Sequence, residues 1–201
     1  MRKILRVSVV ASFFLFCTAG QVLAIGLGGY FEVAGGDGEF EYDDSPEFAV
    51  DAPAGGFGFV LDTDLTDSGI FNYRLNVGFE SLDLEDDFND TLELGGLVVA
   101  NTFGFAIIKQ ADFRWWVGPQ IRFGFYGGEL ESDPVTDYGL VSFGIGGVTG
   151  INFMAGNVCF STSIGILSTG FAGEADGPGY NEDFDGNTAS AFLNFAVLFG
   201  N

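Results

Sequence analysis

The chain contains no histidine. That excludes Ser-His-Asp and Cys-His catalysis and every His-ligated zinc site. Positive charge is scarce: Lys and Arg number 7 against 28 Asp and Glu, for a formal net charge of −21. A nucleic-acid binder needs cations to neutralise phosphates, so that class is excluded too. Only two cysteines occur, Cys17 and Cys159, too few for a disulfide framework. Beyond the first 24 residues no run of about 18 apolar residues appears, so no transmembrane helix is expected.

What is present looks contradictory. The 201 residues include 32 glycines and 24 phenylalanines, 47% are hydrophobic, and mean hydropathy is +0.31 despite the charge. A chain so acidic would ordinarily be disordered. Both properties hold only if acids and apolar residues occupy different places.

The first 24 residues form a unit of their own. Arg2, Lys3 and Arg6 begin it, an apolar and small-residue run from Val7 to Phe16 follows, and Val22-Leu23-Ala24 offers small residues at the two positions a signal peptidase reads. This layout predicts a Sec-pathway signal peptide, residues 1–24, cleaved after Ala24. A lipoprotein signal acylated at Cys17 is disfavoured by the bulky Leu15 and Phe16 before it. Cleavage would remove three of the seven basic residues and none of the 28 acids, which makes the mature domain, residues 25–201, still more acidic.

Along residues 25–201 the recurring signal is a period of two. Phe71, Tyr73, Leu75, Val77 and Phe79 alternate with Asn72, Arg74, Asn76, Gly78 and Glu80. Val117, Pro119, Ile121, Phe123 and Phe125 alternate with Gly118, Gln120, Arg122 and Gly124. Each set lies on one face of a strand. Eight strands are expected, near 25–41, 48–62, 70–83, 91–108, 114–127, 138–153, 158–171 and 188–199. Their length suits tilted membrane strands of about 9–11 residues. The connections 62–69, 109–113 and 154–157 are short. Those around 42–53, 84–90, 128–137 and 172–187 read as longer, acidic loops that hold most of the carboxylates. Short turns at one end and long loops at the other describe an all-β, eight-stranded antiparallel up-and-down transmembrane β-barrel. Its polar face is rich in small residues, which suits a narrow lumen better than a solvated exterior. Strand-end aromatics, among them Phe71, Trp115, Tyr126, Tyr138, Phe153, Phe171 and Phe199, read as interfacial girdles.

On these features the chain resembles the small eight-stranded outer-membrane barrels of Gram-negative bacteria, the OmpA-like transmembrane domain and the OmpX type. The closing run Ala191, Leu193, Phe195, Val197 and Phe199 looks like that group's C-terminal assembly signal, although Gly200 and Asn201 follow it. The resemblance implies residence in the cell outer membrane, with the barrel-assembly machinery, outer-membrane lipid and lipopolysaccharide as partners. It implies no cofactor.

Three sets of residues are candidates for chemistry. Glu32, Arg74, Glu80, Glu93 and Arg122 fall on the polar parity and are expected to form a lumen charge network, because unpaired charges in a narrow lumen are costly. The network reads as a plug; its rival is a gated ion path. Glu85, Asp86, Asp87 and Asp90, with Asp183 and Asp185, place oxygen ligands close together and could take a divalent cation, but no EF-hand pattern surrounds them. Loose divalent bridging to lipopolysaccharide fits them better than a specific metal site. The Gly-x-Gly pairs Gly26/Gly28, Gly56/Gly58 and Gly144/Gly146 lie inside strands and read as lumen packing rather than phosphate loops. Outer-membrane lipid-modifying enzymes rely on a histidine this chain lacks, so no catalysis is expected. The functional expectation is a structural or surface-interaction barrel. The alternatives are a narrow pore or small-solute transporter, and a secreted soluble β-barrel with an apolar ligand inside.

Overall fold

The computed structural model describes residues 25–42, 47–66, 69–86, 91–130, 133–178 and 180–200. The segment read as a signal peptide lies outside them. Nine strand segments follow in order: β1 Gly26–Tyr42, β2 Phe48–Asp51, β3 Ala54–Asp62, β4 Phe71–Asp86, β5 Thr91–Lys109, β6 Phe113–Leu130, β7 Asp133–Ala155, β8 Val158–Gly177 and β9 Tyr180–Phe199. All neighbours pair antiparallel, and β1 pairs with β9 to close the sheet.

The ring has eight walls, because β2 and β3 are one strand interrupted at Pro53. Both keep a single register on β1, with Asp37 opposite Asp51 and Ala34 opposite Ala54. The ladder runs on through the break: Ala52 N donates to Gly36 O at 2.8 Å, and Asp83 N donates to Pro53 O at 3.0 Å. Only the donor that proline lacks is missing. Following paired residues around the wall leads from Leu27 through Leu61, Leu75, Asn101, Ile121, Ile145, Ser168 and Ala189 to Asp37. The circuit therefore climbs ten residues along β1. A stagger of that size tilts the strands roughly 40–45° from the barrel axis.

Alternation fixes which side chains face where. Outward positions carry Phe57, Phe59, Phe79, Phe123, Phe143, Ile145, Ile166 and Phe195, all exposed. At the short-turn end Phe71 and Phe105 meet edge-on with ring centroids 5.6 Å apart, beside Trp115, Phe153, Phe160 and Phe199. Inward glycines make room for large inward rings. A Cβ at Gly165 would strike the Phe192 ring, and one at Gly150 would strike Trp116. At the turn between β7 and β8 Gly156 has φ +65°, in a two-residue hairpin loop closed by the Ala155–Val158 pair.

Two expectations are corrected. The stretches 128–137 and 172–187 are not long loops. β6 runs to Leu130, β7 starts at Asp133, β8 runs to Gly177 and β9 starts at Tyr180. The wall simply continues past the apolar belt. It does so with inverted polarity: Phe40, Leu82, Leu84, Leu92, Leu94, Tyr138, Leu140, Phe171 and Phe184 point inward and form one packed cluster. Tyr126, Tyr138 and Phe171, expected in a girdle, belong to this interior cluster. Acids take the outward positions. A two-residue period is blind to this switch, because the strand stays regular while the medium outside it changes.

Candidate functional site: the lumen network and the acidic collar

Three arginines enter the lumen, each on a strand whose parity turns it inward, and each meets a carboxylate. Near the short-turn end Arg74 Nη2 lies 2.8 Å from Asp62 Oδ2, and its Nε donates to the same oxygen at 2.9 Å. The Arg74 guanidinium also sits 4.9 Å from the Trp116 ring centroid. Arg114 Nη1 lies 2.7 Å from Asp64 Oδ2, and its Nη2 donates to Ile70 O at 3.0 Å. Asn152 ties this level together. Its Oδ1 accepts from Arg74, Trp116 and Ser161, and its Nδ2 donates to Leu65 O at 2.8 Å. The turn after β3 thus folds into the barrel mouth as a stopper, with Asp64 and Leu65 both buried.

Higher in the lumen Arg122 bridges Glu32 and Glu80. Tyr126 Oη donates to Glu80 Oε1 at 2.6 Å, and Asn194 Nδ2 donates to Glu32 Oε2 at 2.9 Å. Just above lies a cavity of about 40 Å³ lined by inward residues such as Ala54, Ser142 and Thr188, room for about one or two waters. The packed apolar cluster fills the upper interior.

Of the five residues expected in the lumen network, Glu32, Arg74, Glu80 and Arg122 are buried there. Glu93 is not: it is exposed on the outer face, opposite Asp83 and Glu129. The expectation placed it on the polar parity, but Glu93 shares its face with Leu97, which points outward, and at its height that face carries acids while Leu92 and Leu94 turn inside. Asp62, Asp64 and Arg114 were missed because 62–69 read as a turn and Arg114 read as a residue flanking the turn 109–113. Extending the alternation would have found two of them, since Asp62 shares parity with Val60 and Arg114 with Gln120 and Arg122. Gly26, Gly56 and Gly144 are buried on the inner face. Cys159 is buried and unpaired.

Of the possible cation ligands, Asp87 and Asp90 lie outside the described residues. Glu85 is exposed on β4, Asp86 is half-buried beside it, and Asp183 and Asp185 are exposed on β9. Among the described residues no group of three or more His, Cys, Asp or Glu is arranged to hold a metal ion.

What the outer face does carry is a closed collar. At every boundary between neighbouring walls, two outward carboxylates stand directly opposite. They are Asp37–Asp51, Asp51–Glu85, Asp83–Glu93, Glu93–Glu129, Glu129–Asp137, Asp137–Asp176, Glu174–Asp183 and Asp185–Glu41. Among the described residues no base accompanies them. Arg74, Arg114 and Arg122 are inside, and Lys109 is at the short-turn end.

The fold has a known counterpart. The chain is similar to the crystal structure of the outer membrane protein OprG from Pseudomonas aeruginosa. The TM-score is 0.59 at 12% identity, over 87% of this chain and 97% of that one. At that identity the likeness is one of fold: an antiparallel up-and-down barrel. No protein-family model matches the chain, and no curated protein matches it in sequence. The OprG match supports the small-barrel class in general and does not select the OmpA-like or OmpX type.

Proposed function

We propose that this protein is an outer-membrane barrel that anchors a rigid, acidic barrel extension at the cell surface, and that its lumen does not conduct ions. The observation that carries this reading is the lumen itself. It is crossed at two levels by buried, paired arginines, stoppered at one mouth by the turn after β3, and filled above by apolar side chains. Every lumen arginine has a partner, so no mobile charge remains to line a path.

Membrane residence follows from the outer face. On β7 the apolar positions run from Val141 to Phe153, about 30 Å of wall height after tilt. A band of that height, carrying half-exposed phenylalanines on all sides, suits hydrocarbon and would aggregate in water. Both chain ends of the barrel, Gly26 and Phe199, lie at the short-turn end, which faces the periplasm, and the collar faces outward. Export by the Sec pathway, insertion by the barrel-assembly machinery and loose divalent bridging of the collar to lipopolysaccharide complete the reading. It includes no catalytic step and no cofactor.

Planar-bilayer recording tests it. The reconstituted protein is expected to give no steady single-channel conductance. Steady conductance that shifts in Arg122→Ala would replace the plugged anchor by a pore. Cell fractionation with a heat-modifiability gel tests the location, and a mature protein that stays monomeric without detergent would sink it.

A further inference from the structure

The collar is uniform in charge but not in shape. On one side of the barrel the outer wall of β6–β9, with the end of β1, forms a groove of about 1160 Å³. Its lower edge is apolar: Phe125 is 50% exposed and Val141 52%. Its floor is Gly139 and Ala172, and a Cβ at Gly139 would meet nothing within 4 Å. Its upper edge carries Asp137, Glu174, Asp183 and Asp185. All four stand opposite like charges across the sheet: Glu174 opposite Asp183, Asp137 opposite both Glu129 and Asp176, and Asp185 opposite Glu41. Directly opposed like charges destabilise a sheet. The same opposition recurs around the whole collar; the groove differs from the rest in its shape and in the apolar edge below its acids.

We propose that this groove docks a basic amphipathic helix from a partner protein or peptide, lying at the upper edge of the apolar belt. The proposal rests on the outer-membrane reading above. Charge complementarity selects the occupant: the groove's charged groups among the described residues are all carboxylates, so the partner brings the cations. Spacing selects the helix. Carboxylates on adjacent strands stand about 5 Å apart, and basic side chains at i and i+3 or i+4 on a helix stand about 5–6 Å apart. The edge at Phe125 and Val141 receives the apolar face, as such helices lie in a membrane interface. A metal-bridged lipid is the weaker occupant, because no carboxylate cluster among the described residues is arranged to hold an ion.

The test uses the protein in nanodiscs of zwitterionic lipid, with empty nanodiscs as baseline. The probe is a synthetic Lys/Leu amphipathic helix, compared with its scrambled sequence and with oligolysine. The amphipathic helix is expected to bind best, with affinity that falls as salt rises. Asp137→Asn, Glu174→Gln and Asp183→Asn together should weaken it about tenfold or more. The same charge change elsewhere on the collar, Asp51→Asn, Asp83→Asn and Glu93→Gln, should cost less than about threefold. Val141→Ser should weaken the amphipathic helix and leave oligolysine unchanged. Equal losses from the two triple variants, or equal binding of the scrambled peptide, would overturn the groove. So would magnesium-dependent capture of lipopolysaccharide vesicles, lost in the groove variant, with no peptide binding. A heat-modifiability gel on the same samples reports whether the barrel is folded and membrane-borne, so failure of that reading shows separately.

Discussion

Arg122 is the residue on which the lumen turns. It holds Glu32 and Glu80 together in a buried site, and both acids have further donors in Asn194 and Tyr126. Removing one member of such a group leaves uncompensated charge, which costs about 3–5 kcal/mol. Arg122→Ala should therefore lower the unfolding free energy, read from urea titration of the folded form on gels, by that amount. Arg122→Met with Glu32→Gln and Glu80→Gln should recover most of it, because the stranded charge is gone. Glu93 is the internal control. It faces outward between Asp83 and Glu129, so Glu93→Gln should not destabilise and should gain about 0.2–1 kcal/mol for each like-charge pair it relieves. A loss like that of Arg122→Ala would return it to the lumen. At this scale the sequence was partly legible. Parity alone turned Glu32, Arg74, Glu80 and Arg122 inward, but it could not say that Asp62, at the expected strand end, and Asp64, beyond it, would supply two of the four carboxylates.

Among the elements, the strand positions were legible and the strand lengths were not. Alternation located every wall of the barrel because each wall has one face in a different medium from the other. It lost the upper third, where acids replace phenylalanines outside and leucines replace glycines inside, so that the hydrophobic set changes faces while the strand continues unbroken. Neighbouring positions on β5 test this switch. Leu94 is buried in the interior cluster, whereas Gly95 faces out with nothing within 4 Å of an added Cβ. Leu94→Asp should destabilise by several kcal/mol, on the order of the cost of burying an unpaired charge. Gly95→Asp should be nearly neutral. Equal effects would mean the interior there is wet. The β7–β8 hairpin gives a second check. Gly156 sits at φ +65°, where a β-branched side chain costs about 1–2 kcal/mol, so Gly156→Val should lower the unfolding free energy from the same titration by that much.

For the whole molecule, the collar explains how a chain with net charge −21 can also be one of high hydropathy, and it carries a measurable penalty. Each directly opposed like-charge pair costs about 0.2–1 kcal/mol. Such a pair occurs at every wall boundary, so the collar's self-repulsion destabilises the barrel by a few kcal/mol, on the order of those pairs together. Salt acts on this repulsion and hardly at all on the buried arginine pairs, since screening works through solvent. Raising ionic strength from about 0.01 to 0.15 M shortens the screening length from about 30 to 8 Å. The urea midpoint in neutral detergent should rise over that range. Asp83→Asn, Glu93→Gln, Glu129→Gln and Asp137→Asn together should raise the midpoint at low salt and remove much of the salt dependence. A midpoint that is flat or falls with salt would show that the collar is not self-repelling. Magnesium at matched ionic strength then separates screening from association. If the ions only screen, the magnesium and sodium curves coincide. If divalent ions bridge neighbouring carboxylates of the collar, magnesium stabilises the native protein further and the four-residue variant loses that excess.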